Sequence, residues 1–228
     1  MEINKIPSLS YDPGLEPRNV RAALVWGFML AGCPKTNAIT PYLSKLVGRV
    51  QSLGEAFIPS ERKAAVRNML RFGKYKPSGR SKPSSEYLFK AALNGEFPLV
   101  NGPADANNAV SLEWGYPASI FDIKLCGTSL YLRRGLEGES YVFNPSGQSI
   151  DLRDLLCVCR REGDSWVPCG NPVKDSMATK ITESTQGVVA VIYAPSNEAG
   201  SDLSAAAERF AGLLQTECAA GESGWIVV

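Results

Sequence analysis

An α+β fold, with mixed or antiparallel sheets and flanking helices, is what this sequence predicts. Three observations lead there. Apolar residues in the first third recur at helical spacing. From about residue 97 the period shortens, and short runs rich in β-branched and aromatic residues alternate with Gly and Pro. A last amphipathic stretch closes the chain at 203–217. Helices first and then mostly strands argue against alternating βαβ units.

Taken in order, Glu16 to Leu30 places Val20, Leu24, Phe28 and Ala31 at helical spacing with Pro17 near its start, and Gly32-Cys33-Pro34 stops it. Pro41 to Leu53 puts Leu43, Leu46, Val47 and Val50 on one side. Ser60-Glu61 opens a third helix carrying Ala64, Val66, Met69 and Leu70, and Ser85 to Leu93 is a fourth. Strands are expected at Ser129–Arg133, Ser140–Phe143, Leu155–Arg160, Gly187–Ala194 and Trp225–Val228, with Gly127, Gly135, Gly138, Gly147, Gly170 and Pro172 among the turns between them. In the last helix Leu203, Ala206, Phe210, Leu213 and Leu214 face inward. The expected organisation is an N-terminal helical segment, 1–58, packed on an α+β domain, 59–228, as one compact unit.

Composition narrows the chemistry. The 228 residues contain no histidine, which removes Ser-His-Asp and Cys-His catalysis and imidazole-ligated metals. Walker, Gly-x-Gly-x-x-Gly, His-Glu-x-x-His and Gly-x-Ser-x-Gly motifs are absent. The longest apolar run, Ala22 to Cys33, has 12 residues, too short to cross a bilayer, and Asp12 and Glu16 before it argue against an export signal. The expectation is therefore a cytoplasmic protein without membrane contact. Its six cysteines are expected as free thiols, with no metal and no cofactor. The spacing of Cys157, Cys159 and Cys169 does not suit a zinc site.

The net charge is +1, but it is uneven: residues 60–90 hold nine Lys/Arg against two Glu. Within that segment Phe72-Gly-Lys74-Tyr-Lys76-Pro-Ser-Gly-Arg80-Ser-Lys82-Pro83 sets an aromatic pair among cations. Such a loop suits phosphate contact and base stacking, unless it is a plain solvated face. Polar residues cluster at Asn101, Asp105, Asn107, Asn108 and Ser111, and again at Lys174-Asp175-Ser176 with Thr179, Lys180, Thr182 and Thr185. Capping and turn closure explain most such residues. Arg133 stands in an otherwise apolar strand and needs a carboxylate, for which Asp122 or Asp175 would serve. Trp114, Tyr116 and Trp166 are either core or anchors for a protein partner.

Asn101-Gly-Pro-Ala-Asp105-Ala-Asn107-Asn108 resembles the N-x-x-V-D-x-x-N segment in the tRNA-editing region of the bacterial phenylalanyl-tRNA synthetase beta subunit, formed by its third and fourth subdomains. Gly115-Tyr-Pro117-Ala-Ser119-Ile-Phe121-Asp122 is similar to that family's G-x-P-x-x-x-[FY]-D. Gly127 with Leu130-Tyr-Leu-Arg133, Gly138-Glu139, and Asp175 to Thr182 ahead of Val188–Ile192 continue the likeness in order, over about residues 60–195. Lys74-Tyr-Lys-Pro77-Ser78 looks like the stand-alone version of the domain.

The resemblance implies an editing-type α+β domain that binds tRNA or aminoacyl-tRNA and hydrolyses a mischarged ester in trans. Aminoacylation itself is excluded by size. Two positions depart from the family: Ser119 stands where it has a pocket His, and Val191 where it has a Glu. An activated ester needs modest help, so a held water, amide donors and the terminal ribose hydroxyl could suffice. On this reading Asn108, Asp122 and Asp175 are the candidate catalytic residues. Ser119, Arg133, Glu139 and Thr179 line the substrate, and Arg71, Lys74, Lys76, Arg80 and Lys82 hold the RNA. The alternative is a catalytically inactive module for tRNA or an amino-acid-like molecule.

Overall fold

The computed structural model describes residues 5–15, 19–197 and 200–228. Its strands form two four-stranded sheets and a small pair. In the first sheet β1 (Ser8–Tyr11) runs parallel to β4 (Ser129–Arg134), which pairs antiparallel with β7 (Leu156–Glu162), and β7 with β8 (Ser165–Gly170). The second is antiparallel, in the order β10 (Glu222–Val227), β2 (Val20–Phe28), β9 (Gly187–Pro195) and β3 (Ala118–Asp122). The strands β5 (Ser140–Val142) and β6 (Ser149–Asp151) form the pair. The fold class is thus α+β with mixed and antiparallel sheets, as the sequence predicts.

The first expected helix is a strand. In β2 eight of nine residues are buried, because it lies between β9 and β10 with both faces covered. A strand buried on both sides reads as a continuous apolar run, and periodicity cannot separate that from a buried helix. Glu16 and Pro17, its expected start, lie outside the described residues.

The next three helices appear where expected: α1 (Pro41–Leu53), α2 (Ser60–Leu70) and α3 (Ser84–Leu93). The inward set of α1 is the predicted one, whereas Ala64 of α2 is exposed. Thr40 caps α1 by accepting a hydrogen bond from the Leu43 N–H at 3.3 Å, a contact worth about 1 kcal/mol.

The sequence reading missed α4 (Gly102–Trp114). Asn101 caps it through the Ala104 N–H, Pro103 sits in its first turn, and Gly115 ends it at φ 71°. Asn, Pro two residues on and Gly fourteen residues on make a start-and-stop pattern. Its burial of Asp105, Asn107 and Ser111 hides the apolar stripe that would have announced it. A short α5 (Ile123–Cys126) follows β3, and α6 (Gly200–Thr216) covers β2 and β10. The main core joins both sheets with α2, α4 and α6. A second cluster sits between α1, α3 and α4, and a third under Tyr75, Tyr141 and Trp166. All six cysteines are free. Among the described residues no helix is long and apolar enough to cross a membrane.

Candidate functional site

A groove of about 730 Å³ opens between β4, β5, β8 and the turn at 176–178, with Arg133, Glu139, Tyr141, Trp166 and Ser176 in its walls. Arg133 is carried inward by β4 and is 8% exposed. The carboxylate it meets is that of Glu139, six residues on, and not Asp122 or Asp175. Nη1 donates to Oε2 at 2.8 Å and Nη2 to Oε1 at 2.6 Å. Nη2 also reaches the Trp166 carbonyl at 3.1 Å, while the Leu136 N–H donates to Glu139 at 2.7 Å. This fork-to-fork pair is nearly saturated and therefore rigid. Hydrogen bonding to Glu139 raises the Arg133 pKa further. Burial pushes the Glu139 carboxyl up, but the Arg133 and Leu136 hydrogen bonds and the Arg133 charge outweigh it and leave it below the usual range.

Next to Ser176 lies Asp175. Its Oδ2 accepts the Ile120 N–H at 3.1 Å, and its Oδ1 is buried without a partner among the described residues. Gly170 leaves room for this carboxylate: a Cβ there would stand 2.7 Å from Oδ1 and 2.4 Å from the Phe121 ring. Burial pushes the Asp175 carboxyl up to about 6. A carboxyl whose folded-state pKa is raised contributes stability that is present at low pH and lost as pH rises through that value. Asp175→Asn should remove this slope. In urea denaturation the variant should gain on the parent by on the order of 2–3 kcal/mol between pH 4 and pH 7, and parallel pH profiles would contradict the assignment.

A polar network that sequence reasoning missed supports this wall. Tyr193 donates to Ser119 Oγ at 2.9 Å, and Ser119 donates to the Asn171 carbonyl at 3.2 Å. Asn171 Nδ2 donates to Tyr141 Oη, whose hydroxyl donates to the Lys174 carbonyl at 2.6 Å. Asn171 Oδ1 accepts the N–H groups of Val173 and Lys174. The available signal was Gly170-Asn171-Pro172, which marks a turn but not the side chains that the turn gathers.

The predicted residues divide. Arg133 and Glu139 meet in the groove, and Asp175 joins Ser119 through the Ile120 amide. Ser119 and Val191 face each other in register between β3 and β9, and both are fully buried, so no hollow opens there. Asp122, three residues beyond Ser119, caps α5 through the Lys124 N–H at 2.8 Å and accepts from Thr185 Oγ1 at 2.6 Å. Asn108 is half-buried on α4, where its Oδ1 accepts from Asn107 at 3.4 Å. Thr179 is fully buried and donates to the Cys169 carbonyl at 3.4 Å. Asn108, Ser119, Asp122, Asp175 and Thr179 are therefore not among the residues that line the groove. Tyr116 is fully buried and serves the core, with Arg62 over its ring.

The cations also divide. On α2, Arg62 pairs with Asp202 at 2.7 Å, Lys63 with Glu55 at 2.7 Å and Arg67 with Glu86 at 2.5 Å. Beyond the helix, Arg71, Lys74, Lys76 and Arg80 are exposed and Lys82 half-buried, and among the described residues none of the five forms an ion pair. Their loop is pinned. The Lys74 N–H donates to Asp154 at 2.8 Å, Tyr75 to the Ser81 carbonyl at 2.7 Å, and the Ser84 N–H to the Pro172 carbonyl at 2.8 Å. The last bond ties the loop to the segment that carries Asn171 and Asp175. Phe72 and Tyr87 remain exposed beside it.

A family model described as the B3/4 domain matches residues 72–215. Among solved structures the chain is similar to an N-terminal fragment of the phenylalanyl-tRNA synthetase beta subunit from Pyrococcus horikoshii, at 9% identity and a TM-score of 0.45. That match covers 97% of this chain and 52% of the other, so the chain spans about half the length of that structure. No curated protein matches it.

Proposed function

Because the chain belongs to the B3/4 domain family, we propose that it is an editing-type domain that binds the aminoacylated 3′ end of a tRNA and removes a wrongly attached amino acid in trans. The observation that carries this reading is the loop of five unneutralised cations, tied through Ser84 and Pro172 to the segment that leads into the groove residue Ser176. Arg71, Lys74, Lys76, Arg80 and Lys82 contact phosphates. The groove, within the size range of small-molecule sites, takes the aminoacyl end.

In this reading Glu139, held by Arg133, presents a fixed carboxylate to the amino group. The adjacent ribose hydroxyl and a water ordered at Ser176 carry out hydrolysis, with Asp175, the buried neighbour of Ser176, near the pKa of a useful base. Asp122 contributes by tying the end of β3 to Thr185 and capping α5, while Asn108 stays on α4 with Asn107 as its partner.

The closed Ser119–Val191 position favours a second reading, a module that binds tRNA or an amino-acid-like molecule without turnover. A panel of mischarged and D-aminoacyl tRNAs separates the two. Under the first, at least one member is deacylated over many turnovers, and Asp175→Asn slows that by about a hundredfold or more while RNA binding persists. Under the second, ligands raise the melting temperature and no member is hydrolysed faster than by the variant.

A further inference from the structure

A second cavity, of about 450 Å³, lies away from the groove, between the loop at 31–36, the first turn of α4 and the last turn of α6. Its wall is largely apolar, with Leu213 and the thiols of Cys33 and Cys218 among its residues. One buried charged side chain faces that wall. Asp105 is 6% exposed; its Oδ1 accepts the Val100 N–H at 2.7 Å and its Oδ2 accepts from Thr36 Oγ1 at 2.5 Å. These bonds fix the carboxylate but do not neutralise it, and no Lys or Arg among the described residues stands within ion-pair distance. Glu217 adds a second carboxylate to the lining, and Lys35, its one cation among those residues, is exposed and unpaired.

A buried carboxylate without a counter-charge is costly, and here it borders a hollow of ligand size with apolar walls. We propose that this cavity binds a small organic ammonium, a primary amine on an apolar body, with the ammonium on Asp105 and the body against Leu213 and the thiols. Each carboxylate oxygen spends one acceptor site on the protein and keeps another for the amine. The two carboxylates exclude an organic acid. The site is independent of the groove and of the tRNA reading.

Calorimetry on the full chain with 2-phenylethylamine, hexylamine, 2-phenylethanol and 3-phenylpropionate tests it. The amines should bind about tenfold or more tighter than the alcohol of equal size, the acid should not bind, and the amide resonances of Thr36, Gly102 and Cys218 should move on amine addition. Asp105→Asn should erase the preference for amine over alcohol. Equal affinity for amine and alcohol in the native chain, absence of amine binding, or shifts confined to the groove would each overturn the proposal. The amine–alcohol comparison needs no variant, so it stands even where Asp105→Asn weakens the fold.

Discussion

Glutamine at Arg71, Lys74, Lys76 and Arg80 together is expected to weaken tRNA binding by on the order of a hundredfold at moderate salt, and to make the log–log salt dependence shallower by about 3, since each phosphate contact contributes about 0.7 to 0.9 to the slope. The size of the effect follows from what the four side chains lack. The α2 cations spend their charge on Asp202, Glu55 and Glu86, so their replacement should lower stability and leave the slope nearly unchanged. The loop cations have no such partners among the described residues, so their replacement costs the fold little. Binding measured from low to moderate salt for both variant sets distinguishes an RNA-facing loop from a solvated one, and an unchanged slope in the loop variant would reject the RNA interface.

That contrast also shows what was legible in the sequence. The excess of cations in 60–90 was visible, but the division between a paired helix and an unpaired loop depends on Glu55, Glu86 and Asp202, and the last is distant in the chain. Helices with one buried stripe, such as α1 and α6, announced themselves through their period. β2 and α4 did not, for one physical reason: an element covered on both sides loses the alternation that reports its geometry. The site behaved likewise. A local pair, Arg133 and Glu139 across a tight turn, was within reach of a sequence reading that sought Arg133 a carboxylate, yet the reading looked to Asp122 and Asp175. Asp122 proved to be engaged in capping α5 and in holding Thr185. Tyr193, Ser119, Asn171 and Tyr141 come from four separate segments, β9, β3, the turn after β8 and β5, and only the packing of these segments brings their hydroxyls and amide into one chain of hydrogen bonds.

Breaking the groove's ion pair from one side should be the most damaging single change in that wall. Glu139→Gln leaves the Arg133 guanidinium buried and without its counter-charge, which costs about 3–5 kcal/mol. Removing both charges with Arg133→Met and Glu139→Leu should recover most of that loss, because apolar replacement of a buried pair is often near neutral. The remaining deficit reflects the Leu136 N–H and the Trp166 carbonyl, which lose a partner in the double variant. The pH dependence has the opposite sign to that of Asp175. Arg133 holds the Glu139 carboxyl below its usual range, so the pair stabilises the fold above the unfolded-state pKa of about 4.3 and loses that contribution as pH falls through the lower folded-state value. Denaturant unfolding of parent, single and double variants at pH 7 and pH 3 measures both effects. The single variant should differ from the parent most at pH 7 and least in acid. A gap that is constant with pH, or a double variant as unstable as the single, would show that the fork does not act as a buried ion pair. A double variant that folds well but no longer binds the aminoacyl end would locate the pair's role in recognition of the ligand.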